Sequence, residues 1–316
     1  MKKTGFLYVL LAALFWGSSF PVAEFILRIL GVNFFMFFIL RYFIATVISI
    51  VLMVIFRRFI YFTKLLKRPY ILLAGVFNMV AVFLAYLGQS FTISGKAALL
   101  LNMNMVWVSI LSFFIFKEKL TKFKIIGITA GLIGAYFLTV GFNPLLLLEG
   151  NIIGDSMILL GGIFWAAHVI VIKSAFNKIE EQFKNKDNEE EQSKLSLLNI
   201  NAFDLTNMTI FISFIASLLP FFIFYFFNPN LIIFPVFPTW VSALYIGFFC
   251  TTIAYFLYNK GLEKLSPVVS SIILLIEIII ATILGMIILP SDSYYSIEFI
   301  LGSIFISTAI ISCNFG

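Results

Sequence analysis

The amino-acid sequence predicts an all-α integral membrane protein whose ten transmembrane helices form two inverted five-helix repeats. Its composition is the first reason: of 316 residues, 62% are hydrophobic and only 11% are charged. A soluble domain averages about 25% charged residues, because its surface must meet water. At roughly 20 residues per span, the hydrophobic residues suffice for nine or ten helices. The other two reasons are the distribution of basic residues and an internal similarity between the halves.

Apolar runs separated by charged or turn residues define the candidate spans. The runs are long and uninterrupted, which favours helices over the short alternating segments of a membrane barrel. No clear small-residue cleavage site follows the first run, so we expect it to be an uncleaved span. The ten expected spans are residues 5–27, 33–56, 70–91, 95–116, 123–141, 152–173, 199–227, 239–258, 267–289 and 296–313.

The basic residues predict the orientation of these spans. With the N-terminus in the cytoplasm, 18 of the 21 Lys and Arg residues fall in cytoplasmic segments, the exceptions being Arg28, Arg41 and Lys96. Cytoplasmic loops retain Lys and Arg because translocating them is unfavourable. We therefore expect a multi-pass protein of the cell membrane with both termini in the cytoplasm. Basic loops also explain the net charge of +6, so no nucleic-acid partner is expected.

The longest polar stretch begins at Asn177, and its composition is typical of a solvated loop or a short surface helix. It separates the sixth span from the seventh. The expected organisation is a first five-helix repeat at 1–141, an outer loop and the sixth helix at 142–176, a charged cytoplasmic loop at 177–198, and helices seven to ten at 199–316.

An internal similarity supports the two repeats. Phe15-Trp16 recurs as Phe164-Trp165 at an offset of 149 residues. Later in each half the offset is 173, and the charged loop can absorb the difference. Five spans is an odd number, so the second copy must enter the membrane upside down, which is typical of alternating-access carriers with a site near the midplane. The matches at 173 are Gly88 with Gly261, Ala97-Ala98 with Ser270-Ser271, and Asn104 with Glu277.

Three sequence motifs stand out: Phe15-Trp16-Gly17-Ser18-Ser19-Phe20, Arg41-Tyr42-Phe43-Ile44-Ala45, and Phe116-Lys117-Glu118-Lys119-Leu120-Thr121 followed by Gly127 and Gly131. They resemble motifs of the EamA-type drug/metabolite transporter superfamily. The resemblance covers nearly the whole chain. It implies ten helices around a central cavity lined by helices one, three, four, six, eight and nine. The chain departs from the family pattern where Met105 and Ile278 replace the usual prolines and where Ser291-Asp292 replaces the second Gly-Glu.

Glu277 is the first candidate for a functional residue, because it lies near the middle of the ninth span. An ionised carboxylate there costs about 3 kcal/mol or more to insert, so it should face protein or water. The spacing of Ser270, Glu277, Ala281 and Gly285 places them on one helix face. That face is either a tight packing seam of small residues or the wall of a cavity. In a cavity, reversible protonation of Glu277 would couple to substrate movement.

Arg41 is the only deeply placed potential partner of Glu277. Its position is roughly 12 Å along the second span at 1.5 Å per residue. We favour an interfacial role, in which the long side chain reaches the head groups or ties helix ends together. The reason is that the family resemblance places the second helix outside the cavity.

The remaining candidates are polar or aromatic residues deep in the spans. His168, the sole histidine, corresponds to Ser19 and is expected to form a hydrogen bond, with a cavity contact as the alternative; ligands for a metal do not cluster around it. Trp16 and Trp165 lie too deep for an interfacial belt and are expected to form aromatic walls or to pack between the repeats. The candidate cavity residues are Trp16, Asn78, Tyr86, Gln89, Asn104, Trp165, His168, Tyr255, Ser270 and Glu277, with Glu277 also the coupling residue.

These features predict a secondary-active transporter of a small metabolite, working by alternating access, with proton coupling as one mode. No Gly-rich phosphate loop is present, so ATP coupling and a cofactor are not expected. A polytopic membrane enzyme is disfavoured because no nucleophile–base pair or metal cluster is apparent, and a channel-like facilitator stays an alternative. Few basic groups are available for phosphorylated substrates. The acidic and aromatic lining favours a neutral, zwitterionic or cationic solute such as an amino acid or amine.

Overall fold

Ten spanning helices make up the structure, a computed structural model that describes residues 3–91, 94–148, 151–184, 200–228, 237–288 and 297–313. Within these ranges there is no β-strand. The helices are α1 (Lys3–Glu24, continued by a π-helical turn, Phe25–Ile29), α2 (Phe34–Ile55), α3 (Pro69–Gln89), α4 (Ser94–Asn102 and Asn104–Phe116), α5 (Lys122–Thr139), α6 (Ile152–Lys184), α7 (Ala202–Phe227), α8 (Phe237–Tyr245, a π-helical segment Ile246–Ile253, and Ala254–Lys264), α9 (Pro267–Leu274 and Ile276–Ile288) and α10 (Ile297–Ser312).

These helices confirm the predicted ten-helix membrane fold. In the described ranges, nine are long and apolar enough to cross a membrane, and α10 is a shorter apolar helix of 16 residues. Large apolar side chains cover the outside of the bundle; Val54 is 62% exposed and Phe226 is 79% exposed. In a membrane, such side chains face lipid, which removes the penalty of exposing them to water.

The charged stretch after the sixth span begins as helix. Helix α6 runs for 33 residues and ends at Lys184, well beyond the expected end of the span at residue 173. The rest of the predicted cytoplasmic loop, from residue 185 onwards, lies outside the described residues, as does Ser291-Asp292. A short helix, Phe59–Leu66, joins α2 to α3.

Local sequence signals fix where several helices begin. Asn33 caps α2, since its side chain accepts a hydrogen bond from the Phe35 amide at 2.9 Å. Asn201 and Asp204 form a reciprocal capping box at the start of α7. Ser266 caps α9, and Pro267 occupies its first turn, where a missing N–H costs nothing.

The contacts between helices recur when each helix is replaced by its counterpart five places along the chain. Helix α3 packs on α6, and its counterpart α8 packs on α1; α1 packs on α9, and α6 on α4. Helix α7 packs on α3, and α2 on α8, while α2–α7 and α5–α10 are pairs of counterparts in contact. Helices five places apart cross in opposite directions, so the two five-helix repeats are inverted.

Two close glycine contacts repeat this symmetry at atomic level. A Cβ atom on Gly261 would lie 3.0 Å from the carbonyl oxygen of Gly5, and one on Gly88 would lie 2.6 Å from that of Gly154. Gly5 and Gly154 are related by 149 residues, and Gly88 and Gly261 by 173. Each glycine therefore lets α8 approach α1, or α3 approach α6, in the same way.

Both α4 and α9 are broken, although neither contains the proline usual in the family. The breaks fall at Met103 and Leu275, where the hydrogen bonds shorten to i→i−3, as from Val106 N to Met103 O (3.0 Å). The next segments begin near Asn104 and Glu277. The break interrupts the helix between Ser270 and Glu277, which the sequence placed on one helix face.

Candidate functional site

A buried cavity lies between the two repeats, near the breaks of α4 and α9. Its volume is about 90 Å³, and residues from α1, α2, α3, α4, α6, α8 and α9 line it. The family resemblance implied all of these helices except α2. The lining residues are Trp16, Ser19, Phe20, Arg41, Ala81, Val82, Ala85, Tyr86, Gln89, Ala97, Leu101, Asn104, Ile158, Trp165, Tyr255, Leu274 and Glu277. Seven of the ten predicted site residues are among them.

The cavity leads towards the face of the bundle where α1 ends. A second cavity of about 270 Å³ lies there, bordered by Glu24, Leu27, Val32, Phe34, Gln89 and Ser90. Gln89 lines both cavities, so it stands between the site and this face. Seen from this face, Trp16, Trp165 and Tyr255 form the floor of the inner cavity.

The floor is a cluster of aromatic rings from both repeats. The rings of Trp16 and Trp165, which are counterparts in the repeat, meet edge to face with centroids 5.3 Å apart. Trp16 also contacts Tyr255 edge to face at 5.1 Å and Tyr258 at 5.2 Å. Edge-to-face contacts of this kind stabilise aromatic clusters beyond the burial of their area. The rings of Trp16 and Trp165 therefore line the cavity and also pack against each other between the repeats.

The π-helical segment of α8 positions two cavity residues. In the wider turn, the hydroxyl of Thr251 donates to the carbonyl oxygen of Ile246 at 2.9 Å. The Cys250 carbonyl accepts a hydrogen bond from Trp16 Nε1 at 2.8 Å. Arg41 Nε donates to Thr251 Oγ1, also at 2.9 Å. Such π-helical turns are rare and occur often at functional sites.

Arg41 lies inside the bundle, and the predicted interfacial role is wrong. Its side chain is 3% exposed and lines the cavity, with Nη1 donating to the Tyr86 hydroxyl at 2.9 Å. The guanidinium carbon also lies 5.3 Å from the centre of the Tyr86 ring. The direction of its side chain is set by bonds to α3 and α8, which the rise along α2 could not reveal.

The carboxylate of Glu277 faces the same cavity without a protein partner. The residue is 6% exposed, and no described residue forms a hydrogen bond or ion pair with its side chain. The side-chain amides of Gln89 and Asn104 also line the cavity and have no partner in the described part of the chain. Three polar groups are therefore available to a solute.

Three predicted site residues do not line the cavity in this structure. Asn78 is fully buried and bonds to Tyr42, Ser213 and Tyr255, so it holds α2, α3, α7 and α8 together. His168 is fully buried, with Nδ1 2.9 Å from the carbonyl oxygen of Ala74. Ser270 is fully buried on the first segment of α9.

The sequence analysis missed several lining residues, of which Arg41 is the most consequential. An ionisable residue inside a span is by itself a signal of a functional site. On α2, Arg41, Tyr42, Ala45 and Ser49 are buried, whereas Phe43 is 46% exposed. This spacing marks a polar face of the helix that turns inwards. Small residues such as Ala81 and Ala85 carry no comparable signal.

Within the described ranges, no group of three or more His, Cys, Asp or Glu side chains could hold a metal ion. The site is instead a cavity with one cation, one carboxylate, two amides and an aromatic floor. This arrangement lies between the inverted repeats of a multi-pass membrane protein, the position in which transporters built from such repeats place their substrate sites.

Comparison with known proteins gives the family. The model of the EamA-like transporter family matches residues 3–140 and 192–313, which is nearly the whole chain. The chain belongs to this family and is a membrane transporter, in agreement with the resemblance of its sequence motifs.

Similar proteins carry the same description. An uncharacterized transporter of Clostridium kluyveri is 22% identical over 97% of this chain and 91% of its own length. The uncharacterized transporter YoaV of Bacillus subtilis is 26% identical over 47% of this chain and 48% of its own. One of Archaeoglobus fulgidus is 28% identical over 51% of this chain and 46% of its own. A solved crystal structure superimposes with a TM-score of 0.74 at 14% identity, covering 100% of this chain and 98% of that one, and shares the fold.

Proposed function

We propose that the protein is a secondary-active transporter that moves a small metabolite by alternating access and is coupled to protons through Glu277. The observation that carries the proposal is the carboxylate of Glu277, which lines a buried cavity between the repeats without a protein partner among the described residues. A charged carboxylate inside a membrane is costly. Protonation or a bound cation would remove that cost, and either links the state of Glu277 to the contents of the cavity.

The cavity limits the size of the solute. One water molecule needs about 10–15 Å³ of such space, so a volume of about 90 Å³ holds roughly six to nine atoms of that size. The aromatic floor suits an apolar or cationic group, and the amides of Gln89 and Asn104 suit polar ones. These features support a neutral, zwitterionic or cationic substrate, such as an amino acid or an amine.

The repeat supports alternating access. Four residues of the cavity have counterparts in the other repeat, found at the offsets of 149 or 173 residues. These counterparts lie on the other side of the bundle, and all are 0% exposed. Each has a buried polar atom without a hydrogen-bond partner in the described part of the chain. Buried polar atoms are rarely left unpaired, and opening this half would expose them to water and solute. The pairs are Ser19 with His168, Ala85 with Tyr258, Tyr86 with Asn259, and Ala97 with Ser270.

The floor favours a carrier over a channel-like facilitator. Trp16 and Trp165 close the cavity on the side opposite to Gln89. A path through the protein therefore requires the repeats to rearrange about the floor. We further propose that both termini lie in the cytoplasm of a cell-membrane protein, which makes the cavity open towards the outside.

Coupling is tested by reconstituting the purified protein in liposomes and screening amino acids and amines with an imposed pH gradient. We expect Glu277→Gln to retain a reduced exchange of the responding solute but to lose the effect of the gradient. Glu263→Gln is the matched control, because Glu263 lies at the surface beside Lys260. Uptake by Glu277→Gln that depends on the gradient as strongly as in the wild type would refute proton coupling.

Alternating access and orientation are tested with single cysteines and a membrane-impermeant thiol reagent. We expect Ala97→Cys to react from outside and Ser270→Cys to react from the cytoplasmic side, with substrate shifting the two rates in opposite directions. Two exposed positions calibrate the sides: Asn143→Cys should react in intact cells and Thr63→Cys only after permeabilisation. Reaction of Ser270→Cys from outside would refute the proposed inward-facing state.

A further inference from the structure

Arg41 has more hydrogen-bonding capacity than its neighbours use. A guanidinium offers five N–H donors and stays charged at every physiological pH. Nε bonds to Thr251 and Nη1 to Tyr86, whereas Nη2 has no partner among the described residues. Nη2 also keeps some accessible surface, and because Arg41 lines the cavity, this nitrogen is open to it. Two N–H groups of Nη2 and one of Nη1 are therefore available to a ligand at the end of the guanidinium.

The charge of Arg41 is not neutralised by the protein. No described acidic residue forms an ion pair with it, and its contacts to Tyr86 and Thr251 are to hydroxyl groups. A buried cation without an anion is strongly unfavourable, since desolvation is not offset by attraction to a partner. The planar end of a guanidinium matches a carboxylate, which accepts two parallel hydrogen bonds from it. The site is thus built to receive an anion of this shape.

The cavity also contains the opposite charge. Glu277 lines it together with Arg41, yet the two side chains do not form an ion pair. The two charges belong to different helices, α9 and α2, with the aromatic floor of Trp16 and Tyr255 in the same lining. A solute that carries an anion and a cation could contact both at once, whereas a simple amine would leave Arg41 without a counter-ion.

We propose that Arg41 binds the carboxylate of the substrate and that the substrate is a small α-amino acid, whose ammonium group faces Glu277. This inference rests on the proposed function and narrows its substrate class. Thr251 and Tyr86 hold the guanidinium in place, so they act as positioning residues. The π-helical turn of α8 has a role in this arrangement, because it orients the Thr251 hydroxyl between Ile246 and Arg41.

The test compares each amino acid with close analogues in proteoliposomes and in binding to the purified protein. The probes are L-alanine, L-valine and L-leucine, their amides, which lack the carboxylate, and their α-hydroxy acids, which lack the ammonium group. A hydrogen bond to a charged group contributes about 1.5–3 kcal/mol, so the wild type should bind each amide about 10- to 150-fold more weakly than the amino acid. The hydroxy acids should also bind more weakly.

Substitution of Arg41 gives a readout that a purely structural role would not change. In Arg41→Gln, the ratio of amino-acid affinity to amide affinity should fall to near one, while Arg41→Lys should keep part of the difference. Arg57→Gln is the control, because Arg57 is exposed and outside the cavity. A ratio in Arg41→Gln as large as in the wild type would overturn the inference.

The failures of the two proposals are distinguishable. If the wild type binds the amides as tightly as the amino acids, or transports only amines, the inference is overturned and the proposed function stands. If no compound of the screen is taken up by folded wild-type protein under any gradient, both are overturned. These comparisons do not require any variant to fold.

Discussion

Replacing Asn78 with Leu removes a hydrogen-bonding centre that joins four helices. The Asn78 amide nitrogen donates to Ser213 Oγ at 2.9 Å and to the Tyr42 hydroxyl at 3.2 Å, while its carbonyl oxygen accepts from the Tyr255 hydroxyl at 2.7 Å. Leu has nearly the same size but cannot form these bonds. The substitution therefore tests whether Asn78 is a structural residue that orients Tyr255, rather than a substrate ligand.

The magnitude follows from hydrogen bonds between membrane helices, which are worth about 0.6 kcal/mol on average and at most about 1.7. Asn78→Leu loses three of them, so the free energy of unfolding should fall by about 2 kcal/mol, with an upper bound near 5. Tyr255→Phe loses one and should cost about 0.6 kcal/mol. Because both variants remove the same bond, the double variant should be less destabilised than the sum by about that amount.

The assay is unfolding of the purified protein in mixed micelles by titration with sodium dodecyl sulfate, followed by the fluorescence of its four tryptophans. Asn207→Leu is the control, because among the described residues its amide bonds only to the Phe203 carbonyl of its own helix. It should change stability less than Asn78→Leu. Strict additivity of Asn78→Leu and Tyr255→Phe would show that the two side chains are not bonded and would refute the reasoning.

Two further predictions concern the packing of the repeats and the end of α2, and the same titration measures both. Gly88→Ala and Gly261→Ala should each lower the free energy of unfolding by about 1–3 kcal/mol, because the new Cβ would press on a backbone carbonyl. Gly285→Ala is the control and should be neutral or slightly stabilising, because the new Cβ would meet no neighbouring atom within 4 Å. Equal effects at all three sites would contradict the close packing at Gly88 and Gly261. Arg58→Gln should lower the free energy of unfolding by about 1.5–3 kcal/mol, because the two parallel hydrogen bonds from Arg58 to the buried carboxylate of Asp204 are lost. Arg58→Lys should restore only part of that stability. Full stability in Arg58→Lys would argue against the paired hydrogen bonds.

The helices and the repeat could be predicted because their causes are local and repeated. Each span is a run of apolar residues long enough to cross the bilayer, and such a run must be helical to satisfy its backbone. The offsets of 149 and 173 residues paired Trp16 with Trp165 and Asn104 with Glu277, and the structure places all four in the lining of the cavity. Seven of the lining residues could be predicted because a polar side chain, or an aromatic one with a polar atom, is costly to expose to lipid deep in a span and therefore turns towards protein or a cavity.

The details of the site depend on contacts between distant segments. The break at Leu275 has no proline to announce it, and there α1 approaches α9 so closely that a Cβ on Gly17 would lie 2.7 Å from the Glu277 carbonyl oxygen. The π-helical turn of α8 is likewise held by Trp16 and Arg41, which are more than 200 residues away. The direction of Arg41 follows from the same contacts, so depth along α2 could not reveal it.

The counterparts Asn104 and Glu277 explain how a symmetric frame can hold an asymmetric site. Both follow a helix break and both line the cavity, but only one of them can ionise. Two carboxylates in a cavity of about 90 Å³ would repel each other and double the cost of burying charge. An amide at position 104 keeps the hydrogen-bonding capacity without a second charge. Under the proposed function, this pair can therefore bind at most one proton per transport cycle, and a zwitterion lying between Arg41 and Glu277 would pair with both of their charges.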